Sequence, residues 1–198
     1  MKRNSTSSSR TKTAAKSKSA SRRRTSGARR TGATAGGNRS RSTARRTTAQ
    51  DAVALLKADH REVDELVQQF ENARSDRKEA IARRICTALT VHAQIEEELL
   101  YPAARNVLES DDMDLVDEAD VEHASIKQLV AEVESASPSD ALYDAKVKVI
   151  GEYVKHHVKE EERELFPKLR RTDLDLKALG AQLAERKQAL MQEMQGRA

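Results

Sequence analysis

The sequence has little of what a β-sandwich or a disulfide-stabilised protein needs. It contains no tryptophan, two phenylalanines and three tyrosines, so its core must consist of aliphatic side chains and alanine. Such a core suits packed helices better than strands, which favour β-branched and aromatic residues. The single cysteine, Cys86, has no partner for an internal disulfide or a zinc knuckle, which favours a reducing compartment. No apolar run approaches the roughly 18 residues that span a bilayer, so we expect a cytoplasmic protein with no membrane span.

Acidic residues are absent from the first 50 positions, which carry 15 of the 36 lysines and arginines. The same positions include 19 serines and threonines, and apart from Met1 they offer no large apolar side chain to offset the entropy of ordering. We therefore expect residues 1–48 to form a disordered basic tail. Residues 51–198 hold all 32 acidic residues and the other 21 basic ones, a formal charge of −11, and are long enough for one folded domain.

The basic tail is typical of a segment that binds polyanions. Its charges would neutralise nucleic-acid phosphates, and without aromatic residues or a folded reader such binding would be sequence-independent. We therefore expect an association of residues 2–48 with nucleic acid, with anionic lipid or simple solubility as open alternatives.

Apolar residues recur every three or four positions after the tail, which predicts amphipathic helices. The first helix is predicted from a capping box formed by Thr48 and Asp51 to about Ala73. Further helices are predicted from residue 76 to the residue before Pro102, from about residue 114, after the break at residues 137–139, and from residue 176.

Short connections between these helices favour antiparallel neighbours. The predicted fold class is therefore all-α, with residues 49–171 forming an up-down four-helix bundle. Residues 172–198 are predicted to form a C-terminal amphipathic helix that either caps a side of the bundle or mediates a homodimer. Gly180 is expected to be the weak point of this last helix.

Four of the five histidines fall on the apolar stripes of the four bundle helices, one on each helix. They are His60, His92, His123 and His157. A glutamate follows two of them at i+4, on the same face, where a leucine is expected; these are Glu96 and Glu161. Buried carboxylates among imidazoles make chemical sense when a cation lies between them, and two His-x-x-x-Glu pairs imply two metal ions. Imidazole with carboxylate suits iron, manganese or zinc better than calcium or magnesium.

The two His-Glu elements lie in an internal repeat. His92 to Pro102 matches His157 to Pro167, and Asp59-His60 echoes Glu122-His123. These residues resemble the hemerythrin-like, or HHE cation-binding, family over roughly residues 52–169. The resemblance implies a four-helix bundle holding an oxo- or hydroxo-bridged centre of two iron ions. It assigns His60, His92, His123 and His157 as terminal ligands and Glu96 and Glu161 as bridges.

The sequence departs from the oxygen-carrying hemerythrins at Lys127, where a second histidine is expected one turn after His123. Oxygen carriage is therefore only one of several functions to expect. The resemblance implies a non-heme di-iron protein that binds or senses dioxygen, peroxide or nitric oxide, or handles iron, and that is not an enzyme beyond incidental peroxide chemistry. The main alternative is a nucleoid-associated module that binds or protects DNA through its tail, with the metal centre as sensor or stabiliser. An oxidative-stress enzyme is the third possibility.

Other polar residues beside the motif are predicted to be peripheral. His156 lies about 100° around the helix from His157 and should face solvent or support a ligand. Tyr153 is predicted to fill the core rather than to donate to a bridging group. Glu97 and Glu162 are predicted to belong to solvated faces, although each is placed to hydrogen-bond a ligand imidazole.

Overall fold

The computed structural model of the chain describes residues 50–196, so the predicted basic tail lies outside the described residues. The described segment contains helices and no strand, which confirms the all-α prediction. Its α-helices are α1 Ala52–Asn72, α2 Ser75–Ile95, α3 Tyr101–Arg105, α4 Met113–Ser135, α5 Tyr143–Glu160, α6 Phe166–Leu169 and α7 Leu176–Gln195. None of these helices combines the length and the hydropathy that crossing a bilayer requires.

A wide π-helical turn joins α2 to α3 and another joins α5 to α6, over Glu96–Leu100 and Glu161–Leu165. Pro102 has no N–H to donate to the carbonyl four residues earlier, and its ring clashes with that carbonyl. The turn before it widens, so that the N–H of Tyr101 donates to the carbonyl of Glu96. The helical path therefore continues past Pro102 to Arg105, instead of ending before the proline as predicted.

Helices α1, α2, α4 and α5 form the bundle, with α1 and α4 each packing against both α2 and α5. The core divides into two apolar clusters, one around Leu56, Ile95 and Leu165, the other around Val63 and Ile150. On each bundle helix the predicted histidine lies in sequence between members of the two clusters. The apolar periodicity of the bundle thus directs four imidazoles into one interior layer.

Helix α7 packs against α1 and α2 and buries its apolar face there, through Leu179, Leu183 and Leu190. Gly180 makes this contact possible, because a Cβ atom at that position would lie 2.4 Å from the carbonyl oxygen of Gln50. Gly180 therefore has a packing role that the sequence did not indicate, since the glycine permits close approach of two backbones. The helix thus covers one side of the bundle, as predicted for its capping role, and the homodimer stays a prediction.

The start of α1 also differs from the prediction. Asp51, and not Thr48, is the N-cap residue, and its Oδ1 accepts the N–H of Ala54 at 2.7 Å. The helix starts directly on buried Ala52 and Val53, which pack into the same cluster as α7. The N-terminus of the bundle is thus fixed by a side-chain cap and by the close contact at Gly180.

Candidate metal centre

All six predicted site residues meet in the middle of the bundle. Glu96 is 0% exposed and Glu161 2%, and the four histidines are between 2% and 6% exposed. Each glutamate is the first residue of a π-helical turn. The turns that the prolines impose therefore start at the two carboxylates, which agrees with the frequent occurrence of such turns at functional sites.

The Nε2 atoms of the histidines point at the carboxylates. His92 Nε2 lies 3.1 Å and His123 Nε2 3.4 Å from Glu96 Oε2. His60 Nε2 lies 3.3 Å and His157 Nε2 3.6 Å from Glu161 Oε2. The ligand atoms form two compact groups that share Glu96: His60, His92, Glu96 and Glu161, and then Glu96, His123 and His157.

The Nδ1 atoms of the same histidines point away from the centre, towards a second set of carboxylates. The nitrogen-to-oxygen distances are 3.0 Å for His60 to Glu162, 3.0 Å for His123 to Glu97, 2.8 Å for His157 to Glu122 and 3.9 Å for His92 to Asp59. The last distance is too long for a hydrogen bond. In the other three pairs a carboxylate only accepts, so the histidine donates its Nδ1–H, and in the neutral ring the inward Nε2 is then the nitrogen that can bind a metal ion.

This arrangement leaves several buried polar atoms of the centre without a hydrogen-bond partner. The buried atoms without a hydrogen-bond partner include His60 Nε2, His92 Nε2, both oxygens of Glu96 and Glu161 Oε2. Buried polar atoms in folded proteins normally have a hydrogen-bond partner, because an atom without one loses its bonds to water and gains no bond in exchange. A cation between the nitrogens and the oxygens would satisfy them together. Because these buried atoms have no hydrogen-bond partner, the residues present fit a metal centre.

The protonation of the metal-free centre reflects its burial. Burial raises the pKa of Glu96 well above its usual value, and the neighbouring charge of Glu161 raises it further. Burial opposes the ionisation of Glu161 as well, but the imidazoles of His157 and His60 outweigh it and lower the pKa of Glu161 to about 2. Burial lowers the pKa of His92 to about 4. A metal ion would replace the protons that these groups otherwise share.

Tyr101 adds a hydroxyl to the centre that the sequence reasoning missed. Its OH donates to Glu161 Oε1 at 3.1 Å and lies 3.3 Å from His123 Nε2. The repeat-related residue is Phe166, whose ring stacks on His60 with the ring centroids 5.9 Å apart. The sequence feature that could have revealed it is the difference between the two repeats, in which Tyr101 precedes one proline and Phe166 precedes the other. Tyr153, predicted to fill the core, is 48% exposed instead.

The sequence reasoning also did not assign to the site the four carboxylates that face the Nδ1 atoms. We call them the outer carboxylates; they are Asp59, Glu97, Glu122 and Glu162. Glu97 and Glu162 were predicted to be surface residues, but each is about 30% exposed and binds an imidazole. Asp59 and Glu122 directly precede His60 and His123 in the two repeats. Helical periodicity alone did not indicate that these two carboxylates belong to the site. Such partners orient metal-binding imidazoles and raise their basicity.

The four-helix bundle and the histidines and glutamates at its centre together define a helical domain that can surround a cation with imidazoles and carboxylates. The model of the hemerythrin HHE cation-binding domain family matches residues 51–169, and the chain belongs to this family. The match ends before α7, which begins at Leu176.

Two known proteins are similar to this chain. A crystal structure of a hemerythrin HHE cation-binding domain-containing protein from Mycobacterium kansasii matches with a TM-score of 0.61 and 24% identity, over 71% of this chain and 87% of that one, which shows the shared fold. A protein named DNA nickase from Nostoc sp. is 30% identical over 118 residues, or 59% of this chain. The match covers only 32% of the nickase, so most of that protein has no counterpart in the matched segment.

Proposed function

We propose that this chain is a non-heme di-iron protein that binds or senses dioxygen, peroxide or nitric oxide, or handles iron. The observation that supports the proposal is the convergence of four imidazole nitrogens on two buried carboxylates, where His60 Nε2, His92 Nε2 and three of the carboxylate oxygens have no hydrogen-bond partner. Iron is preferred among the ions that suit this donor set because the hemerythrin-like pattern implies it. When bound, such ions supply redox chemistry and open positions for a small ligand.

The protein residues would hold the ions and shape the space around them. His60, His92, His123 and His157 would be terminal ligands, and Glu96 and Glu161 would bridge. Tyr101 keeps a hydrogen bond on Glu161 Oε1 and leaves Oε2 of that carboxylate facing the imidazoles. Three of the outer carboxylates, Glu162, Glu97 and Glu122, hydrogen-bond the Nδ1 atoms of their histidines and so direct Nε2 inward.

The free space at the centre favours a very small ligand. A cavity of about 10 Å³ lies against the four histidines and is closed by apolar side chains that include Leu89 and Ile126. That volume accommodates about one water-sized molecule. A diatomic gas or peroxide fits this scale, whereas an organic substrate does not.

A wider groove gives such a ligand a route from solvent. The groove lies between α1 and α5, has a volume of about 500 Å³ and reaches His60 and Glu162. Its rim carries five basic side chains, which are Lys57, Arg61, Lys155, Lys159 and Arg163. In a domain of net negative charge these cations form a local positive field, which favours the approach of small anions as well as neutral gases.

The decisive experiment is metal analysis of the full-length chain after reconstitution with Fe²⁺ in the absence of oxygen, followed by an ultraviolet and visible spectrum in air. We expect two irons per chain and a near-ultraviolet charge-transfer band. Glu96→Gln should reduce the iron content, whereas the exposed control Glu71→Gln should keep it. Less than one iron per chain, or preferential uptake of zinc from a mixture, would overturn the di-iron proposal.

A second candidate function is association with DNA, in which the metal centre senses or stabilises. The observations that favour it are the 15 basic and no acidic residues in positions 1–50, and the similarity to part of a protein named DNA nickase. The binding would be electrostatic and would use residues 2–48. Both candidates place the protein in the cytoplasm, and the second places it on the nucleoid.

A further inference from the structure

Three of the four outer carboxylates share one feature, a lysine that neutralises them. The pairs are Glu162 with Lys57 at 2.9 Å, Glu97 with Lys127 at 2.8 Å and Asp59 with Lys187 at 2.6 Å. The same arrangement of imidazole, carboxylate and ammonium thus recurs around the centre. A cation beside each carboxylate offsets the cost of holding its charge at the edge of an apolar core.

Glu122 is the fourth outer carboxylate and breaks this pattern. Among residues 50–196 no lysine or arginine contacts it, although its side chain is only 22% exposed. In place of an ammonium group stands His156, whose Nε2 lies 3.4 Å from Glu122 Oε1 and 3.1 Å from Glu160 Oε1. These three atoms converge within 4.8 Å, as ligand atoms around one ion would.

The two halves of the repeat explain why this place is open. Asp59 and Glu122 occupy equivalent positions, and α7 covers Asp59 with its Lys187. No helix of the described segment covers Glu122 in the same way, and a cavity of about 490 Å³ opens there instead. Asp114, Asp117 and Glu118 also line that cavity, and of these Asp117 is paired with Arg105.

From this broken pattern we infer that Glu122, His156 and Glu160 form a third, solvent-accessible site for a divalent first-row metal ion. The ion takes the place that lysine has at the other three outer carboxylates. One imidazole and two carboxylates suit Fe²⁺, Mn²⁺, Co²⁺ or Zn²⁺, and three protein ligands leave positions for water. Because His156 is 60% exposed, the ion enters and leaves this site readily.

Glu122 connects the outer site to the buried centre. One of its oxygens faces His156, and the other accepts the Nδ1–H of His157 at 2.8 Å. An ion captured outside thus lies one side chain away from a proposed inner ligand. Resting on the proposed function, we assign the outer site the role of a staging point from which ions load the inner centre.

The first test separates the outer site from the inner one. In the full-length chain carrying Glu96→Gln and Glu161→Gln, equilibrium dialysis against Co²⁺ should still find one ion per chain. Adding His156→Lys restores the lysine pattern and should weaken that Co²⁺ binding by more than about 100-fold, because a direct ligand is lost. The matched control Gln69→Lys, which adds the same charge at an exposed position of α1, should leave it unchanged.

The wild-type background provides a second measurement that does not depend on the glutamine variants. Iron-loaded protein should take up one further Co²⁺, and His156→Lys should abolish that uptake. No Co²⁺ binding in either background, or binding that survives His156→Lys, would overturn the outer site and leave His156 as a plain substitute for lysine. Retained Co²⁺ binding in a wild-type chain whose centre takes up no iron would instead refute only the proposed function.

The staging role has its own readout. His156→Lys should slow the uptake of Fe²⁺ by the inner centre while leaving the final iron content unchanged. An unchanged rate of loading, together with the loss of the outer Co²⁺, would overturn the staging role.

Discussion

Lys187 Nζ donates a hydrogen bond of 2.6 Å to Asp59 Oδ1, across 128 residues of sequence. The other oxygen of Asp59 faces His92 Nδ1 at 3.9 Å. The neighbouring residue Arg186 binds Glu98 through two nitrogens, at 2.6 and 3.0 Å, within the π-helical turn that Glu96 begins. Helix α7 lies beyond the part of the chain that matches the family model, yet it contacts both segments that hold the His92 side of the centre.

Replacing Lys187 by methionine should weaken the fold and the centre together. The substitution keeps most of the apolar stem but leaves the buried Asp59 carboxylate without its cation. Since the lysine side chain is 30% exposed, we expect a loss of about 1–2 kcal/mol in the free energy of unfolding. Iron should also dissociate about tenfold faster to a chelator, because Asp59, the carboxylate that faces His92 Nδ1 at 3.9 Å, is no longer held in place by the lysine.

Thermal melts and chelator competition measure the two effects of the Lys187 substitution. Lys187→Arg keeps the charge and should retain most of both properties. Lys177→Met removes an exposed lysine of the same helix and should change neither. A Lys187→Met chain with wild-type iron retention would show that Asp59 does not act on His92.

The contact between Arg186 and Glu98 should make stability depend on acid pH. The hydrogen bond from Arg186 lowers the pKa of Glu98 to about 2 from the ordinary 4.5. A carboxyl with a lowered pKa in the folded state stabilises the fold above its ordinary pKa, and this contribution disappears as the pH falls from about 4.5 to about 2. Because Glu98 is largely exposed, its contribution should be at most about 1 kcal/mol.

Urea unfolding of wild-type and Glu98→Gln chains between pH 7 and pH 3 tests this dependence. The difference between the two chains should be constant near neutral pH and should shrink steadily below about pH 4.5. Glu185→Gln, an exposed substitution on α7, should show no such trend. A difference that persists unchanged at pH 3 would contradict an ionic role for Glu98.

The six central residues were predictable from sequence because helical spacing fixes direction. A residue that continues an apolar series at steps of three and four must point inward, so His92 and Glu96 were placed without knowledge of any neighbour. Glu97 and Glu162 lie about 100° further around the helix, where spacing alone indicates solvent. Only the packing of adjacent bundle helices brings them onto His123 and His60.

Contacts between distant segments were beyond the reach of periodicity. Leu179, Leu183 and Leu190 predicted that α7 has an apolar face, but they did not indicate which bundle helices it covers. The pairing of Lys187 with Asp59 follows from that docking geometry. The packing role of Gly180 was missed for the same reason, because it depends on the backbone segment at Gln50 that approaches the glycine.

Neutralising Glu96 should stabilise the metal-free chain and abolish the full metal complement. Burial and the charge of Glu161 raise the pKa of Glu96, so at neutral pH the metal-free fold must bind a proton that the unfolded chain does not bind, and this lowers its stability. The amide of Glu96→Gln has nearly the same shape and can donate to the inward nitrogens of His92 and His123. We expect the metal-free variant to be more stable at pH 7 by about 1–2 kcal/mol, which is a rise of about 2–8 °C in melting temperature.

The sign of the pH dependence of stability tests whether the raised pKa of Glu96 is the cause of this difference. A group whose pKa is raised by folding stabilises the protein below its ordinary value, 4.5 for Glu96, and loses that contribution as the pH rises. The advantage of Glu96→Gln should therefore be largest near neutral pH and vanish towards pH 4.5. In the iron-loaded state the order should reverse, with wild type melting higher than the variant. Equal melting of the two metal-free chains would mean that folding does not raise the pKa of Glu96.

The charge division of the sequence predicts where DNA binding resides. Residues 1–50 carry 15 basic and no acidic side chains, whereas residues 51–198 have a net charge of −11, so a chain that begins at Ala49 should lose DNA binding and keep its iron spectrum. Full-length protein should bind duplexes of unrelated sequence with similar affinity. That affinity should fall by orders of magnitude between about 50 and about 200 mM salt if six or more phosphates are contacted.

Fluorescence anisotropy measures both the sequence independence and the salt dependence of DNA binding. A full-length chain whose tail lysines and arginines are replaced by glutamine separates the effect of charge from that of chain length. If the chain beginning at Ala49 bound DNA as tightly as the full-length protein, the helical domain itself would be the nucleic-acid module, and the tail would need another role.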